Sequence, residues 1–125
     1  MNPPEISLEL LRERISTFIT EREWDQFHSC KNLAISIMLE AAELVELFQW
    51  TDPTIEDVKS NYEFQQKVID ELADIIIYVI SFANKFDINL GTEIAAKLKK
   101  NAEKYPIPDS IGRADKYHSY FSLKD

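Results

Sequence analysis

The chain has 125 residues, a hydrophobic fraction of 45%, only two glycines and a formal net charge of −8. This length is typical of one domain, and the scarcity of glycine excludes a Gly-rich phosphate loop or a dinucleotide-binding turn. So acidic a chain lacks the basic surface that nucleic acid polymers require. We therefore expect one all-α domain over residues 1–125, with no affinity for nucleic acid polymers.

Cysteine content and apolar runs predict where the chain resides. Cys30 is the lone cysteine, which excludes an intrachain disulfide and fits a reducing compartment. The first residues have no signal-like apolar run, and the longest apolar run, from Ile75 to Phe82, is too short to cross a bilayer. We expect a cytoplasmic protein that does not associate with membranes.

Hydrophobic periodicity predicts four main helices, the first from about Ser7 to Arg22 with Ser7 as its N-cap. The segment from Glu23 to Cys30 then turns the chain. The second helix runs from about Lys31 to Gln49 and is apolar on nearly every face, which predicts a central position in the bundle.

The motif Thr51-Asp52-Pro53 ends the second helix, and residues 54–61 form a polar connection with room for one short helical turn. The third helix runs from about Tyr62 to Phe86. Its β-branched second half would also suit a strand, but its length and lack of Gly and Pro favour a helix. The fourth helix runs from about Thr92 to Lys104.

Two acidic couplets lie inside apolar helical stretches: Glu40-x-x-Glu43 and Glu71-x-x-Asp74. Residues three apart share one helix face, so each couplet projects two carboxylates from a hydrophobic patch. Converging carboxylates in such surroundings are unfavourable unless a cation pairs with them. Oxygen-only sites suit hard cations, and Mg²⁺ when the substrate carries phosphates. The alternative is that these are ordinary exposed helix carboxylates.

A triphosphate would add negative charge to such a site and would need basic partners. Candidates in the fourth helix and the tail are Lys97, Lys100, Lys104, Arg113 and Lys116. Lys97, Asn101 and Lys104 share one helix face. The alternative, a solvated lysine face, is favoured for Lys99 and Lys100.

Aromatic residues near the couplets are candidates for binding a nucleobase, because a ring can stack on it. Trp24 and His28 precede the second helix, Trp50 follows it, and Tyr78 lies one turn beyond Asp74. The alternative roles are core or interface packing for the tryptophans and structural hydrogen bonding for His28.

These residues resemble a known family. The segments that carry the likeness are residues 22–28, Lys31-Asn32-Leu33, residues 40–50, residues 70–78, and Lys97, Asn101 and Lys104-Tyr105-Pro106. In this order they resemble the MazG-like all-α nucleotide pyrophosphohydrolases, most of all the dCTP pyrophosphatase branch, over about residues 8–120. The chain departs from the wider family's pattern at Leu39, Asn89 and Cys30, where Glu, Asp and Pro are common.

The resemblance implies roles for particular residues. The metal-binding and catalytic carboxylates would be Glu40, Glu43, Glu71 and Asp74, with Glu46 in support. Trp24 and Trp50 would form the base pocket, Tyr78 would lie near the site, and Lys97 and Asn101 would face the phosphates. The predicted substrate-binding residues are Trp24, His28, Lys31, Trp50, Tyr78, Lys97, Asn101, Lys104 and Tyr105.

The resemblance implies a MazG-like four-helix bundle that uses Mg²⁺ to hydrolyse a nucleoside triphosphate, dCTP or a similar nucleotide, to the monophosphate and pyrophosphate. It also implies a homo-oligomer, a dimer or tetramer, which the many apolar helix faces favour as well. Two alternatives stay open. One is a hydrolase of the same fold acting on dUTP, a modified nucleotide or a phosphoribosyl compound. The other is a non-catalytic helical oligomerisation module.

Overall fold

The computed structural model describes residues 3–114. The secondary structure of those residues is helical, without strands, which confirms the predicted all-α class. The described residues fall into two compact units, the first ending at Ile88 and the second beginning at Asn89. The candidate Lys116 lies outside the described residues, and one domain over 1–125 stays a prediction.

All four predicted helices are present, together with shorter ones. The first unit contains α1 (Leu8–Glu21), a 3₁₀ helix (Trp24–Phe27), α2 (Cys30–Glu46), α3 (Ile55–Ser60) and α4 (Tyr62–Asn84). The second unit contains α5 (Leu90–Lys104) and α6 (Ile107–Ser110).

Polar side chains fix where the long helices begin. Ser7 Oγ accepts a hydrogen bond from the Leu10 N–H at 3.1 Å, as predicted for the N-cap of α1. Asn89 Oδ1 accepts from the Thr92 N–H at 3.1 Å, so asparagine caps α5 as an aspartate would. Cys30 is the first residue of α2, a position that proline favours but that other residues can occupy.

The segment between α2 and α4 is more ordered than expected. Thr54 and Asp57 form a capping box: the Asp57 N–H donates to Thr54 Oγ1 at 3.1 Å, and the Thr54 N–H donates to Asp57 Oδ2 at 3.0 Å. This box starts the six-residue helix α3. The second helix is also shorter than predicted, because it ends at Glu46 and continues as turns to Gln49.

Helices α2 and α4 make the most extensive contact in the first unit. Phe48, just after α2, packs edge-to-face on Phe64 in the first turn of α4, with ring centroids 5.6 Å apart. The carboxyl end of α2 therefore lies beside the amino end of α4, and the two helices run antiparallel.

The core of the described chain is small. Its buried apolar residues are Ile15, Ile19, Leu33, Ile80 and Ala83. The predicted central position of α2 was wrong for the single chain, because only Leu33 of α2 is buried. Large apolar side chains of α2 stay exposed, among them Met38 at 60% and Val45 at 65%. Exposed apolar surface of this kind is typical of interfaces.

No helix in residues 3–114 is both long enough and apolar enough to cross a membrane.

A reciprocal pair of hydrogen bonds joins α1 to α4. Arg12 Nε donates to Asn84 Oδ1 at 3.0 Å, and Asn84 Nδ2 donates to the Arg12 carbonyl at 3.2 Å. Both bonds are partly buried and connect residues 72 positions apart in the chain.

We expect Asn84→Ala to lower the free energy of unfolding by about 1–2 kcal/mol, since both bonds are lost and the Arg12 groups are left without this partner. Urea unfolding followed by circular dichroism measures the change. The matched control is Gln66→Ala, which removes only an exposed bond to Asp70 within α4 and is expected to change stability by less than about 0.5 kcal/mol. Equal effects of the two variants would contradict the assigned role of Asn84.

Candidate metal and nucleotide site

Helices α2 and α4 bring three of the predicted carboxylates together. Glu40 and Glu43 lie one turn apart on α2, and Glu71 lies on α4. One carboxylate oxygen from each of the three lies within 4.8 Å of the other two. We call these three residues the carboxylate cluster. Its geometry follows from the antiparallel packing, which sets the middle of α2 beside the first half of α4.

Two oxygens of the carboxylate cluster have unmet bonding capacity. Glu40 and Glu71 are half-buried, and the Oε2 atom of each is buried without a hydrogen-bond partner among residues 3–114. A buried carboxylate oxygen without a partner is unfavourable, and native proteins satisfy nearly all such atoms. The donor set, oxygens aimed at one point and short of partners, fits a divalent cation.

The pKa values of the carboxylate cluster show how the acids affect one another in the absence of metal. Burial raises the pKa of Glu40 to about 7, with further increases from contact with Glu43 and from the charges of Glu43 and Asp74. Burial and then Glu43 also raise the pKa of Glu71. Contact between Glu40 and Glu71 raises the pKa of the former and lowers that of the latter. Acids this close to one another titrate together, because the charge of one disfavours ionisation of its neighbour.

Asp74 lies apart from these three residues. It is exposed on α4, outside the carboxylate cluster, yet its negative charge raises the pKa of both Glu40 and Glu71. Asp74 therefore contributes to the field that a cation would neutralise. Its place as a fourth metal ligand stays a prediction.

A second part of the site is the turn before α2. Glu23 has a left-handed backbone conformation, with φ of 54°, and this sharp turn leads into the 3₁₀ helix. The Trp24 ring packs edge-to-face on Phe18 of α1, with centroids 5.6 Å apart, and stays 43% exposed. A half-exposed indole has surface that can contact a bound base.

His28 ends this turn and is half-buried. Its Nδ1 atom is buried and has no hydrogen-bond partner within the described part of the chain. The His28 residue borders a cavity of about 90 Å³ that Asp25, Ser81 and Lys85 also line. Substrate binding by His28 stays a prediction.

The remaining candidates of the first unit lie at the surface or partly covered. Trp50 is 85% exposed just beyond α2, which makes it available for stacking but not a core residue. Lys31 is exposed in the first turn of α2. Tyr78 is half-buried on α4, one turn after Asp74 as predicted from its spacing.

The phosphate-side candidates belong to the second unit. Lys97, Asn101 and Lys104 follow one face of α5, where both lysines are exposed and Asn101 is half-buried. Tyr105 caps the end of α5, and its N–H donates to the Asn101 carbonyl at 2.8 Å. Their predicted contact with substrate stays a prediction.

One polar contact of the site could not be found from the sequence. Lys85 Nζ lies 2.8 Å from Asp25 Oδ1 and so ties the 3₁₀ helix to the end of α4. The two residues are 60 positions apart, and no local pattern pairs them.

Comparison with known proteins gives this geometry a context. The sequence model of the MazG-like family matches residues 35–119. The chain is 34% identical to dCTP pyrophosphatase 1 of Mus musculus and 32% identical to that of Homo sapiens, in each case over 115 residues that make up 91% of this chain and 68% of the relative.

A solved structure gives the same result for the fold. A pyrophosphatase from Archaeoglobus fulgidus DSM 4304 is 34% identical and superposes with a TM-score of 0.71, over 85% of this chain and 98% of that one. The family match extends over more than half of the chain and includes all three acids of the carboxylate cluster. The resemblance drawn from the sequence is thereby confirmed: the chain belongs to the MazG-like family.

Proposed function

We propose that the chain is a Mg²⁺-dependent pyrophosphohydrolase that converts dCTP or a closely similar nucleoside triphosphate to the monophosphate and pyrophosphate. The enzyme class follows from the dCTP pyrophosphatases and the archaeal pyrophosphatase that the chain is similar to. The observation that carries the proposal is the carboxylate cluster, with its two buried oxygens that have no partner among the described residues.

The carboxylates would hold the metal, with Glu40, Glu43 and Glu71 as ligands and Asp74 as the fourth. When bound, Mg²⁺ supplies activation of water and neutralises charge that develops on the phosphates. An acidic chain with a net charge of −8 can bind a triphosphate only if cations and basic side chains offset the repulsion.

The reaction needs in-line attack of a water oxygen on the α-phosphorus. The bond from the α-phosphorus to the bridging oxygen breaks, and pyrophosphate leaves with the bonding electrons. A carboxylate of the site accepts the proton from the water. Lys97 and Asn101 bind the phosphates that leave, because an ammonium and an amide donate hydrogen bonds to phosphate oxygens.

In this proposal Trp24 and Trp50 bind the base. Tyr78, His28 and Lys31 are further substrate-binding residues. Stacking on an aromatic ring stabilises a bound base by about 1–3 kcal/mol and depends little on its identity. Hydrogen bonds to the base edge must therefore supply any preference for cytosine.

Assembly as a homo-oligomer is part of the proposal. Its support is the exposed apolar surface of α2 and α4, which includes Leu39, Val45, Ile69, Leu72 and Ile76. Sedimentation of the purified chain decides between a monomer, a dimer and a tetramer.

A panel of nucleotides with Mg²⁺, assayed for both pyrophosphate and orthophosphate, tests the reaction and its substrate. We expect pyrophosphate as the product, with dCTP among the preferred substrates. Absence of pyrophosphate with every nucleotide would exclude the proposed activity, and a preference for dUTP or a modified nucleotide would revise the substrate alone.

We expect Glu43→Gln and Glu71→Gln each to reduce kcat/KM by at least about 100-fold, because an amide replaces a charged metal ligand. Glu63→Gln is the matched control, since it removes an exposed carboxylate from the same helix as Glu71, in the first turn of α4 and outside the carboxylate cluster. We expect the control to retain activity within a few-fold. Similar losses in all three variants, or none, would contradict the ligand assignment.

The raised pKa of Glu40 predicts how stability depends on pH. A group whose pKa is higher in the folded than in the unfolded chain stabilises the fold fully at a pH below its pKa in the unfolded chain. That contribution disappears as pH rises from about 4.5 to about 7. We therefore expect the Tm of the metal-free protein to be lower at pH 8 than at pH 5. Millimolar Mg²⁺ should raise the Tm more at pH 8 than at pH 5, because the ionised carboxylate binds the cation better.

Differential scanning fluorimetry measures this dependence. We expect Glu40→Gln to flatten the fall of Tm with pH and to weaken the response of Tm to Mg²⁺, whereas Glu63→Gln, exposed on α4, keeps both. A pH dependence unchanged in Glu40→Gln would show that other groups cause it.

Lys97 and Lys99 provide a matched pair on α5, both exposed and two residues apart. We expect Lys97→Gln to reduce kcat/KM by about tenfold or more, through the loss of a charge-assisted hydrogen bond to phosphate. Lys99 lies on another face of α5, so we expect Lys99→Gln to change kcat/KM by less than about twofold. Steady-state kinetics of the two variants compares them directly.

A further inference from the structure

The 3₁₀ helix that carries Trp24 has side-chain contacts to three different helices. Trp24 itself packs on Phe18 of α1. Asn32 Nδ2 of α2 donates to the Phe27 carbonyl at 2.9 Å. Lys85, at the end of α4, donates to Asp25 Oδ1 at 2.8 Å. The last contact joins the turn to the helix that bears Glu71 and Asp74.

The turn has little internal stability of its own. It is a four-residue helix that follows a left-handed residue, Glu23, and it has no side-chain cap at its start. Trp24 and Phe27 are 43% and 61% exposed, so both rings are only partly covered by the rest of the chain. Segments of this kind open readily unless individual contacts retain them.

A small cavity lined mostly by polar side chains lies beside the turn, α1 and α4. Its volume is about 90 Å³, and it is lined by Ser16, Ile19, Asp25, His28, Ser81, Asn84 and Lys85. At the edge of this cavity the Asp25–Lys85 ion pair joins the turn to the end of α4. Hydrogen bonding from Lys85, and then its charge, lower the pKa of Asp25, which keeps that carboxylate ionised and the pair intact at neutral pH.

We propose that Lys85 is a positioning residue for nucleotide binding: through its ion pair with Asp25 it fixes the place of Trp24 relative to α4. This inference rests on the proposed function, in which Trp24 stacks on the base while α4 supplies metal ligands. Lys85 acts through Asp25 on the distance between these two binding groups and not on the reacting atoms.

The exposure of the pair predicts which measurement responds to its loss. The side chains of Lys85 and Asp25 are 31% and 57% exposed, and pairs this exposed contribute little to global stability. Removing the pair should therefore leave the fold intact and affect mainly the placement of Trp24. Binding of the base should weaken while the chemical step is kept.

The principal test is Lys85→Met, which keeps the length of the side chain and removes its charge. We expect KM for the preferred nucleotide to rise about two- to fivefold, as the loss of one half-exposed pair allows, with kcat within about twofold and Tm within about 3 °C. Lys85→Arg should restore KM, and so should the exchanged pair Asp25→Lys with Lys85→Asp. The matched control, Lys59→Met, loses an exposed pair with Glu56 in α3 and should leave KM unchanged.

A measurement that does not depend on catalysis follows Trp24 directly. In a Trp50→Phe background Trp24 is the remaining tryptophan, since the chain has two. Adding Lys85→Met should speed the decay of its fluorescence anisotropy, and adding Lys59→Met should not. High salt should produce the same faster decay in the background protein, because salt screens an exposed pair.

Unchanged KM and unchanged anisotropy in Lys85→Met would overturn the inference, as would a lower kcat with KM unaltered. An unfolded Lys85→Met would also overturn it, since the pair would then be needed for the fold itself. A protein with no activity on any nucleotide would instead refute the proposed function, and the anisotropy would still decide whether Lys85 positions Trp24.

Discussion

Repulsion among the acids of α2 and α4 is the constraint around which the first unit is arranged. Glu40, Glu43 and Glu71 are held within reach of one another, and burial together with the charge of Glu43 raises the pKa of both Glu40 and Glu71. Apolar and aromatic packing of the antiparallel helices overcomes this repulsion, with the Phe48–Phe64 contact at one end and buried Leu33 and Ile80 towards the other. Packing of α2 against α4 thus offsets the repulsion between the carboxylates, and a bound cation would remove that repulsion.

The same compromise explains why the single chain buries so little. A helix pair that keeps carboxylates on its inner side cannot enclose all of its apolar residues, so Met38, Val45 and Ile76 remain at the surface. In the proposed homo-oligomer a second copy would cover these apolar residues.

Much of this could be predicted from the sequence, because the signals are local. Helical periodicity located α1, α2, α4 and α5, and the couplet spacing placed Glu40 and Glu43 on one face. The predicted end of α2 was wrong by three residues, because composition does not distinguish the turns that follow the helix from the helix itself. The capping box of α3 was readable as Thr54-x-x-Asp57, yet its helix was expected only as a single turn. The contacts Arg12–Asn84 and Asp25–Lys85 join distant positions and were beyond any local pattern.

The positions of the two parts of the site along their elements have a consequence for dynamics. Glu40 and Glu71 lie well inside long helices, ten residues after the start of α2 and nine after the start of α4. Fraying at helix ends does not reach them, so their amides should exchange with solvent deuterium only through the largest openings of the chain. The 3₁₀ helix that carries Trp24 is short and exposed, so its amides should be among the least protected from exchange. A base could therefore enter or leave by a local opening while the cation-binding half stays closed.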